Sequence, residues 1–338
     1  VNGLDLATRR AVVQALLRAQ SDGAVQAVVL DGAGRTFSGG ADIKEFGTDR
    51  AMQSPHLLDV IELIESFGKP VVAALHGAAM GGGLELALGC HYRVASAGTR
   101  LALPEVKLGL LPGAGGTQRL PRVLGVEAAL NLILSGEAVL AEAVARLPGQ
   151  KLLDLLVSDP QQLRDAAVSF ARSVAADRPL PQVRRLPAGH PQGAAFFQFA
   201  RNTARAMAPH VPAPLACVDA VEAATTRPFE AGLAYERERF MGLMYTPVSR
   251  ALRHVFLAER GTARIADVPD DTPRRPVLAV GVVGAGTMGS GIAVNFLDAG
   301  LPVALLESSA EALERGTAAV TRIFEGRVKK GKLSAEAC

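Results

Sequence analysis

The feature that most constrains the fold is a run of three glycines between a predicted strand and a predicted helix. Val71–Leu75 has the length and the β-branched start of a buried strand, and residues 81–83 are glycines. Residues 84–90 are strong helix formers around one carboxylate, Glu85. Such a turn presents bare backbone N–H groups to a ligand, which suits an anion or a developing oxyanion. Taken alone, Glu85 fits a carboxylate in an apolar wall or a solvated one near the helix dipole.

Two further glycine-containing blocks flank this stretch. Residues 37–44 (FSGGADIK) follow a strand-like run at 27–30, and residues 103–120 (LPEVKLGLLPGAGGTQRL) lie downstream. In this order, the three blocks resemble the enoyl-CoA hydratase/isomerase (crotonase) superfamily over roughly residues 1–185. The resemblance implies an α/β fold in which ββα turns stack in a right-handed spiral.

The same resemblance assigns catalytic roles to four residues. It makes the backbone amides of Ala41 and Gly82 the two donors to an enolate-like oxygen. Glu85 is then the base that orients water, and Glu105 is the acid that delivers a proton to Cα. These groups can also move a 3-enoyl double bond to the 2-position, so isomerisation is a second expected activity. Outside this context, the alternative for Glu105 is an exposed loop carboxylate.

The resemblance also implies contacts with the substrate. Ala41, Asp42, Ile43 and Lys44 match the loop that contacts the CoA portion, although an isolated lysine is more often only solvated. Gly113 belongs to a loop that lines the site near the water. For that loop, the alternative is a plain glycine turn into the following helix.

Periodicity and composition give the coarse organisation of the chain. Strands at 25–30, 71–75 and 92–95 alternate with helices at 6–20, 57–67, 84–90, 120–135 and 138–146, which predicts α/β layers. The Pro-rich residues 177–191 mark the edge of the first domain. Helices are predicted at 194–208, 213–226, 229–243 and 247–260, the last of which resembles the linker helix of multifunctional β-oxidation enzymes.

A second glycine motif lies near the C-terminus. An apolar strand at 277–283 enters a GxGxxG turn, a helix follows at 292–299, and a strand at 302–306 ends at Glu307. That acid is 18 positions beyond Gly289 (307 − 289), close to the usual spacing for dinucleotide binding. The alternative is a glycine turn in an α/β fold that binds no nucleotide. The candidate cofactor-binding residues are Gly284, Gly286, Met288, Gly289 and Glu307.

This segment resembles the start of the 3-hydroxyacyl-CoA dehydrogenase Rossmann domain. Glu307 would bind the ribose hydroxyls and repel a 2′-phosphate, so NAD is favoured over NADP. The expected domains are therefore residues 1–188 (hydratase/isomerase), 189–275 (helical linker region) and 276–338 (the opening βαβ unit of an NAD-binding Rossmann domain).

Composition argues against several other classes of protein. Hydrophobic residues make up 49% and charged residues 20%, so wholesale disorder is not expected. The net charge is +3 and no basic run is interleaved with aromatics, which argues against nucleic-acid binding. The three cysteines form no CxxC pattern, which indicates a reducing compartment, and the six histidines have no metal-ligand spacing. No metal and no membrane span are predicted.

The sequence as a whole is interpreted as part of a multifunctional fatty-acid β-oxidation enzyme, shortened at both ends. The catalytic residues of the dehydrogenase half are expected beyond residue 338, so oxidation is expected only of a longer parent protein. The alternatives are another crotonase-superfamily reaction and a non-catalytic acyl-CoA-binding or assembly module. Acyl-CoA thioesters and a thiolase subunit are the expected partners. The expected location is the bacterial cytoplasm, or the peroxisome if the source is eukaryotic.

Overall fold

Among the described residues of the first part of the chain, seven strands form two sheets. They are β1 (Val28–Asp31), β2 (Val71–Leu75), β3 (Ala78–Met80), β4 (Tyr92–Ser96), β5 (Arg100–Ala102), β6 (Val139–Leu140) and β7 (Leu155–Val157). One sheet has the order β1-β2-β4-β7 and is parallel throughout, and the other has the order β3-β5-β6. β2 and β3 are consecutive but lie in different sheets, as are β4 and β5. This alternation is the repeated ββα arrangement that the sequence predicts.

The computed structural model describes residues 2–338 except 49, 51, 52, 263, 264, 266, 270, 274, 332 and 337. It divides into two compact units, Val1–Ala263 and Arg264–Cys338. The helices of the first unit are α1 (Leu6–Ser21), α2 (Leu57–Glu65), α3 (Gly82–Gly89), α4 (Gly116–Leu124), α5 (Val126–Ser135), α6 (Ala141–Ala145), α7 (Leu163–Ser173), α8 (Ala194–Met207), α9 (Ala213–Thr226), α10 (Phe229–Met244) and α11 (Pro247–Thr262). No helix among the described residues is long and apolar enough to cross a membrane.

β2 is continuously apolar because both of its faces are covered. Val71, Ala73 and Leu75 belong to the main core, which also includes α2 and α3. Val72 and Ala74 point the other way, into a smaller cluster with α7. A parallel strand covered on both faces shows no polar alternation, which is why β2 was predicted correctly from a plain apolar run.

Two predicted helices differ from the structure. The helix expected at 120–135 is two helices, because Gly125 has φ +80° and ψ 159°, a conformation that ends α4 and begins α5. α4 also begins earlier, at Gly116. The helix expected at 138–146 is shorter, because residues 139 and 140 pair with β5 as β6 and only Ala141–Ala145 is helical.

The four predicted C-terminal helices of the first unit are present, and they pack on its core. α9 contacts α4, α5, α8 and α10. Ser249 of α11 is buried, and its hydroxyl donates to the Leu108 carbonyl at 2.9 Å. These helices therefore belong to the same compact unit as the sheets, and the domain boundary after residue 188 stays a prediction.

The second unit contains the predicted βαβ arrangement. Its elements are β8 (Val280–Val283), α12 (Thr287–Asp298), β9 (Val303–Leu306) and α13 (Ala310–Lys329). β8 and β9 are parallel, with Val280 opposite Val303 and Val283 opposite Leu306. β8 begins three residues later than predicted, and α12 begins five residues earlier, inside the GxGxxG motif, so that Gly289 is already helical.

Candidate active site

The three glycine-containing blocks meet at one cavity of the first unit. Residues 39–43 form one wall, Gly81, Gly82 and Glu85 a second, and Pro104, Glu105, Gly113 and Ala114 a third. Arg237, Phe240 and Met244 of α10 also line the cavity, together with residues of α1, α2 and the segment between them. The sequence predicted the three blocks as a site but did not predict that α10 reaches it.

Strand pairing brings the first two blocks together. Ser38 pairs with Ala79 in a parallel bridge, with the Ser38 amide donating to the Ala78 carbonyl and the Met80 amide donating to the Ser38 carbonyl. A Cβ at Gly83 would lie 2.7 Å from the Ser38 Cβ, so a side chain there would push the two segments apart. Residue 83 therefore has to be glycine for this approach to occur.

The amides of Ala41 and Gly82 lie next to each other on the cavity wall. A Cβ at Gly82 would lie 3.4 Å from the Ala41 nitrogen, and a Cβ at Gly40 would lie 3.2 Å from the Gly82 nitrogen. Gly82 is the first residue of α3, where the helix leaves its N–H groups without intrahelical acceptors. Neither amide donates a hydrogen bond to any described residue. The wall thus offers two neighbouring donors to a ligand.

Glu85 lies in the first turn of α3 with 3% of its surface exposed. Its Oε1 accepts hydrogen bonds from the Ala114 amide at 2.7 Å and from the Gly116 amide at 2.8 Å. Burial raises the pKa of Glu85 above the ordinary 4.5, and the two amide hydrogen bonds oppose that rise. The amides also fix the carboxylate plane, so Glu85 presents a defined face to the cavity.

Glu105 has a different environment. It lies in a 3-10 turn, Pro104–Leu108, and its Oε2 is buried with no hydrogen-bond partner among the described residues. Burial raises the pKa of Glu105 well above the ordinary 4.5, and the charge of Glu85 raises it further. A carboxyl group without donors around it favours the protonated form. Glu105 is therefore suited to give a proton, whereas Glu85 is suited to accept one.

A third buried carboxylate, Glu236 of α10, lies behind the same loop. Its Oε1 accepts from the Gly115 amide at 2.6 Å, and its Oε2 accepts from the amide and the hydroxyl of Thr117. Burial, and then the charge of Glu85, raise the pKa of Glu236 to about 8. Sequence reasoning missed this residue. Its helical spacing from Leu233 and Phe240 could have indicated that Glu236 lies on the buried face of α10.

A buried ion pair between Arg119 and Glu65 also holds the loop at residues 113–117. The Arg119 guanidinium donates twice to Glu65, at 3.0 and 2.8 Å, and donates to the Ala114 carbonyl at 3.2 Å. Gly115 has φ +97°, and a Cβ there would fall 1.7 Å from Arg119 Nη1. Glycine is thus required at this position by both backbone conformation and space.

Four of the five predicted substrate-binding residues line the cavity. Ala41, Asp42, Ile43 and Gly113 line the cavity, whereas Lys44 is exposed and is absent from the lining. The Phe240 ring covers Gly113 so closely that a Cβ there would lie 2.5 Å from Phe240 Cδ2. Contact between Lys44 and CoA stays a prediction.

In the second unit, the glycine turn and the acid are adjacent. Gly284 has φ +101°, and a Cβ at Gly289 would lie 1.8 Å from the Gly284 carbonyl oxygen. The Ala285 amide donates to Glu307 Oε2 at 2.8 Å, and this hydrogen bond is the main cause that lowers the pKa of Glu307. Gly286 has open space around it, and Met288 is 80% exposed. An open helix N-terminus beside a carboxylate fits a dinucleotide.

Comparison with known proteins gives two family matches. Residues 1–184 match the family described as enoyl-CoA hydratase/isomerase, and residues 279–338 match the NAD binding domain of 3-hydroxyacyl-CoA dehydrogenase. The predicted combination of a hydratase/isomerase segment with a dehydrogenase NAD-binding segment is therefore confirmed.

Individual relatives agree with these matches. The peroxisomal bifunctional enzyme of Homo sapiens is 41% identical over 341 residues, covering 98% of this chain and 46% of the relative. The glyoxysomal fatty acid beta-oxidation multifunctional protein MFP-a of Brassica napus is 39% identical over 329 residues, covering 92% of this chain and 44% of the relative. The chain thus spans less than half the length of these relatives.

The fold also has counterparts among solved structures. EchA1_1 from Mycobacterium paratuberculosis aligns with a TM-score of 0.54 at 28% identity, covering 75% of this chain and 86% of that structure. The match to the hydratase/isomerase family extends over more than half of the chain and includes all three glycine-containing blocks. The chain therefore belongs to the enoyl-CoA hydratase/isomerase family.

Proposed function

We propose that the first unit adds water to a trans-2-enoyl-CoA and forms a 3-hydroxyacyl-CoA. The observation that carries this proposal is that one cavity contains both Glu85 and Glu105, in environments that favour opposite roles in proton transfer. The two free amides of Ala41 and Gly82 lie on the same cavity wall. Hydration of an enoyl thioester needs these three components: a base, an acid and an oxyanion site.

The thioester oxygen would accept hydrogen bonds from the amides of Ala41 and Gly82. As negative charge moves from the double bond to this oxygen, the amides stabilise it without having to reorient. Loss of one such donor typically costs about 2.7–4 kcal/mol of transition-state stabilisation. Because Gly81 has φ +52°, the turn before Gly82 fixes the direction of its amide in advance.

The two carboxyl groups would divide the proton transfers. A water oxygen bonds to Cβ while one of its protons passes to Glu85, and the π electrons move toward the thioester. Glu105 then gives its proton to Cα, so that one C–O bond and one C–H bond replace the π bond. The amide hydrogen bonds to Glu85 Oε1 leave its other oxygen to take the proton.

Isomerisation is the second candidate activity. It is favoured by the unpartnered Oε2 of Glu105, because an oxygen with no fixed donor can both take and return a proton. Removing a proton from one carbon of a 3-enoyl-CoA and returning it to another moves the double bond to the 2-position. The oxyanion site would stabilise the same enolate-like intermediate.

The second unit is proposed to bind NAD through Gly284, Gly286, Met288 and Gly289, with Glu307 at the ribose hydroxyls. NAD would supply hydride acceptance, and the 3-hydroxyacyl-CoA made by hydration is a substrate of that chemistry. The match of residues 279–338 to the dehydrogenase NAD-binding family supports this order of reactions in a longer parent protein. Thiolase binding and a cytoplasmic location stay predictions. The peroxisomal and glyoxysomal relatives support a peroxisomal location for a eukaryotic source.

The experiment that tests the hydratase proposal is an assay of the purified chain with crotonyl-CoA. Hydration removes the conjugated double bond, so ultraviolet absorbance falls and the product gains the mass of one water. A non-catalytic acyl-CoA-binding module would bind crotonyl-CoA without loss of absorbance. A different reaction of the superfamily would give a product of another mass.

A further inference from the structure

We propose that Glu236 is a positioning residue that holds the loop at residues 114–117, so that this loop orients the Glu85 carboxylate. The inference rests on the proposed hydration and deepens it, because it assigns a function to a residue of α10. Glu236 lies outside residues 1–184, which match the hydratase/isomerase family.

The geometry of the loop is the first argument. Four consecutive amides point alternately to two carboxylates. The amides of Ala114 and Gly116 donate to Glu85, and the amides of Gly115 and Thr117 donate to Glu236. All four donor–acceptor distances lie between 2.6 and 2.9 Å. A rotation of the loop that weakened one set of hydrogen bonds would therefore also disturb the other set.

The backbone of the loop is intrinsically flexible. Two of its residues, Gly115 and Gly116, are glycines, which have the largest conformational freedom of any residue. Other groups also contact this segment: the Arg119 guanidinium donates to the Ala114 carbonyl, the amides of Gln118 and Arg119 donate to the Gly115 carbonyl, and Gln118 Nε2 donates to the Thr117 hydroxyl. Gly116 is the first residue of α4, where its amide has no intrahelical acceptor, and none of these contacts engages that amide. The hydroxyl of Thr117 gives Glu236 a third donor, at 2.5 Å. Glu236 thus anchors the half of the loop that continues into α4.

The Glu236 carboxylate does not reach the cavity. Glu236 is fully buried and is absent from the cavity lining, whereas Arg237, Phe240 and Met244 of the same helix line the cavity. A bound substrate would meet these neighbours and not the Glu236 carboxylate. An effect of Glu236 on the geometry of the reaction therefore passes through the loop to Glu85, whereas an effect of its charge on Glu105 would persist when Glu85 is replaced.

A double-mutant cycle on the whole chain tests the inference. In Glu236→Gln, an NH₂ group replaces an oxygen that accepts from the Gly115 or Thr117 donor, so at a pH above the Glu236 pKa of about 8, where the native side chain is a carboxylate, the loop loses at least one hydrogen bond. We expect kcat for crotonyl-CoA hydration to fall at least about tenfold, since small misplacements of catalytic groups cost up to about a hundredfold. KM should stay within about twofold of the unmodified chain.

The decisive comparison measures the effect of Glu236→Gln in a chain that already has Glu85→Gln. If Glu236 acts through Glu85, Glu236→Gln should change the residual rate of Glu85→Gln by less than about twofold, because coupled residues are not additive. Glu238→Gln is the matched control, since Glu238 is an exposed residue two positions further along α10. It should leave kcat unchanged in both backgrounds.

Contradictory outcomes are distinguishable. An equal loss of kcat in both backgrounds, or full kcat in Glu236→Gln, would overturn the positioning role. Absence of hydration by the unmodified chain would overturn the proposed function and this inference with it. If Glu236→Gln lacks a cooperative unfolding transition, Thr117→Val replaces it, with Thr117→Ser as its control. Thr117→Val should show the same dependence on Glu85, and an additive loss would overturn the inference.

Discussion

At the residue scale, the two predicted catalytic carboxylates differ in the hydrogen-bond donors around them. Glu85 accepts from two amides, whereas Glu105 Oε2 has no partner among the described residues. The sequence predicted both residues because each lies in a glycine-containing block with a specific pattern. It could not predict Glu236, because this residue is one of three glutamates on α10 with no motif to distinguish it, and its hydrogen-bond partners lie 119 and 121 positions away.

The first prediction concerns these two carboxylates. Glu85→Gln and Glu105→Gln should each lower kcat for crotonyl-CoA hydration by at least about a hundredfold, the scale of general acid–base catalysis. Each change preserves shape and removes the ability to exchange a proton. Binding of a saturated acyl-CoA, measured by calorimetry, should persist. Near-normal turnover by either variant would remove that residue from the mechanism.

The second prediction concerns stability against pH. Because the pKa of Glu236 rises from 4.5 to about 8 on folding, the folded chain retains a proton that the unfolded chain releases. Stability from this group is fully present below 4.5 and is lost as pH rises through about 8. The melting temperature of Glu236→Gln should therefore fall less than that of the unmodified chain across this interval.

The comparison with Glu236→Gln is needed because His91 changes the stability of the fold with pH in the opposite direction. Burial lowers the pKa of His91 from 6.5 to about 4, so protonation disfavours the folded state and stability decreases as pH falls. The difference between the unmodified chain and Glu236→Gln isolates the glutamate, with Glu238→Gln as the control. Parallel melting profiles for the unmodified chain and Glu236→Gln would contradict the assignment.

At the scale of elements, local conformation explains where the sequence-based boundaries were wrong. Residues 120–135 have an apolar helical pattern throughout, but the backbone of Gly125 leaves the helical region and divides the segment. Residues 139 and 140 become a strand because they pair with β5, and that contact depends on the tertiary fold. β2, which has a continuous apolar run, was predicted with its exact bounds.

The third prediction concerns the loop between the carboxylates. A Cβ at Gly116 would lie 2.9 Å from Glu85 Oε1 and 2.7 Å from Pro112 Cβ. Gly116→Ala should therefore displace Glu85, lower kcat at least about tenfold and destabilise the fold by about 1–3 kcal/mol. Gly242 of α10 has open space where a Cβ would lie, so Gly242→Ala should leave kcat unchanged and slightly raise the free energy of unfolding. Equal behaviour of the two variants in activity and melting measurements would count against the described loop.

The fourth prediction concerns the turn of the second unit. A Cβ at Gly289 would collide with the Gly284 carbonyl oxygen, whereas Gly291, two residues further along α12, has open space. We expect the unmodified chain to bind NAD⁺ weakly, because the outer face of the two-stranded sheet is exposed, with Val283 84% and Leu306 63% accessible. Gly289→Ala should abolish the calorimetric signal with NAD⁺, and Gly291→Ala should retain it. Unchanged binding by Gly289→Ala would place the nucleotide elsewhere.

At the scale of the whole molecule, the proposed reactions would be divided between the two units. The first unit has the cavity with its acid, base and free amides, and the second has the glycine turn with Glu307. Because the chain spans less than half the length of its curated relatives, successive hydration and oxidation by a parent protein remain proposals. The hydration step is proposed for residues that are all present in this chain, so it can be tested directly.

The most direct test follows the atoms of water into the product. The chain would be incubated with crotonyl-CoA in deuterium oxide enriched in heavy oxygen, and the products would be analysed by mass spectrometry. We predict a 3-hydroxyacyl-CoA with heavy oxygen on Cβ and one deuterium on Cα, and at least about a hundredfold slower labelling with Glu85→Gln or Glu105→Gln. Unlabelled crotonyl-CoA, or a free acid with heavy oxygen in its carboxylate, would contradict the proposed hydration.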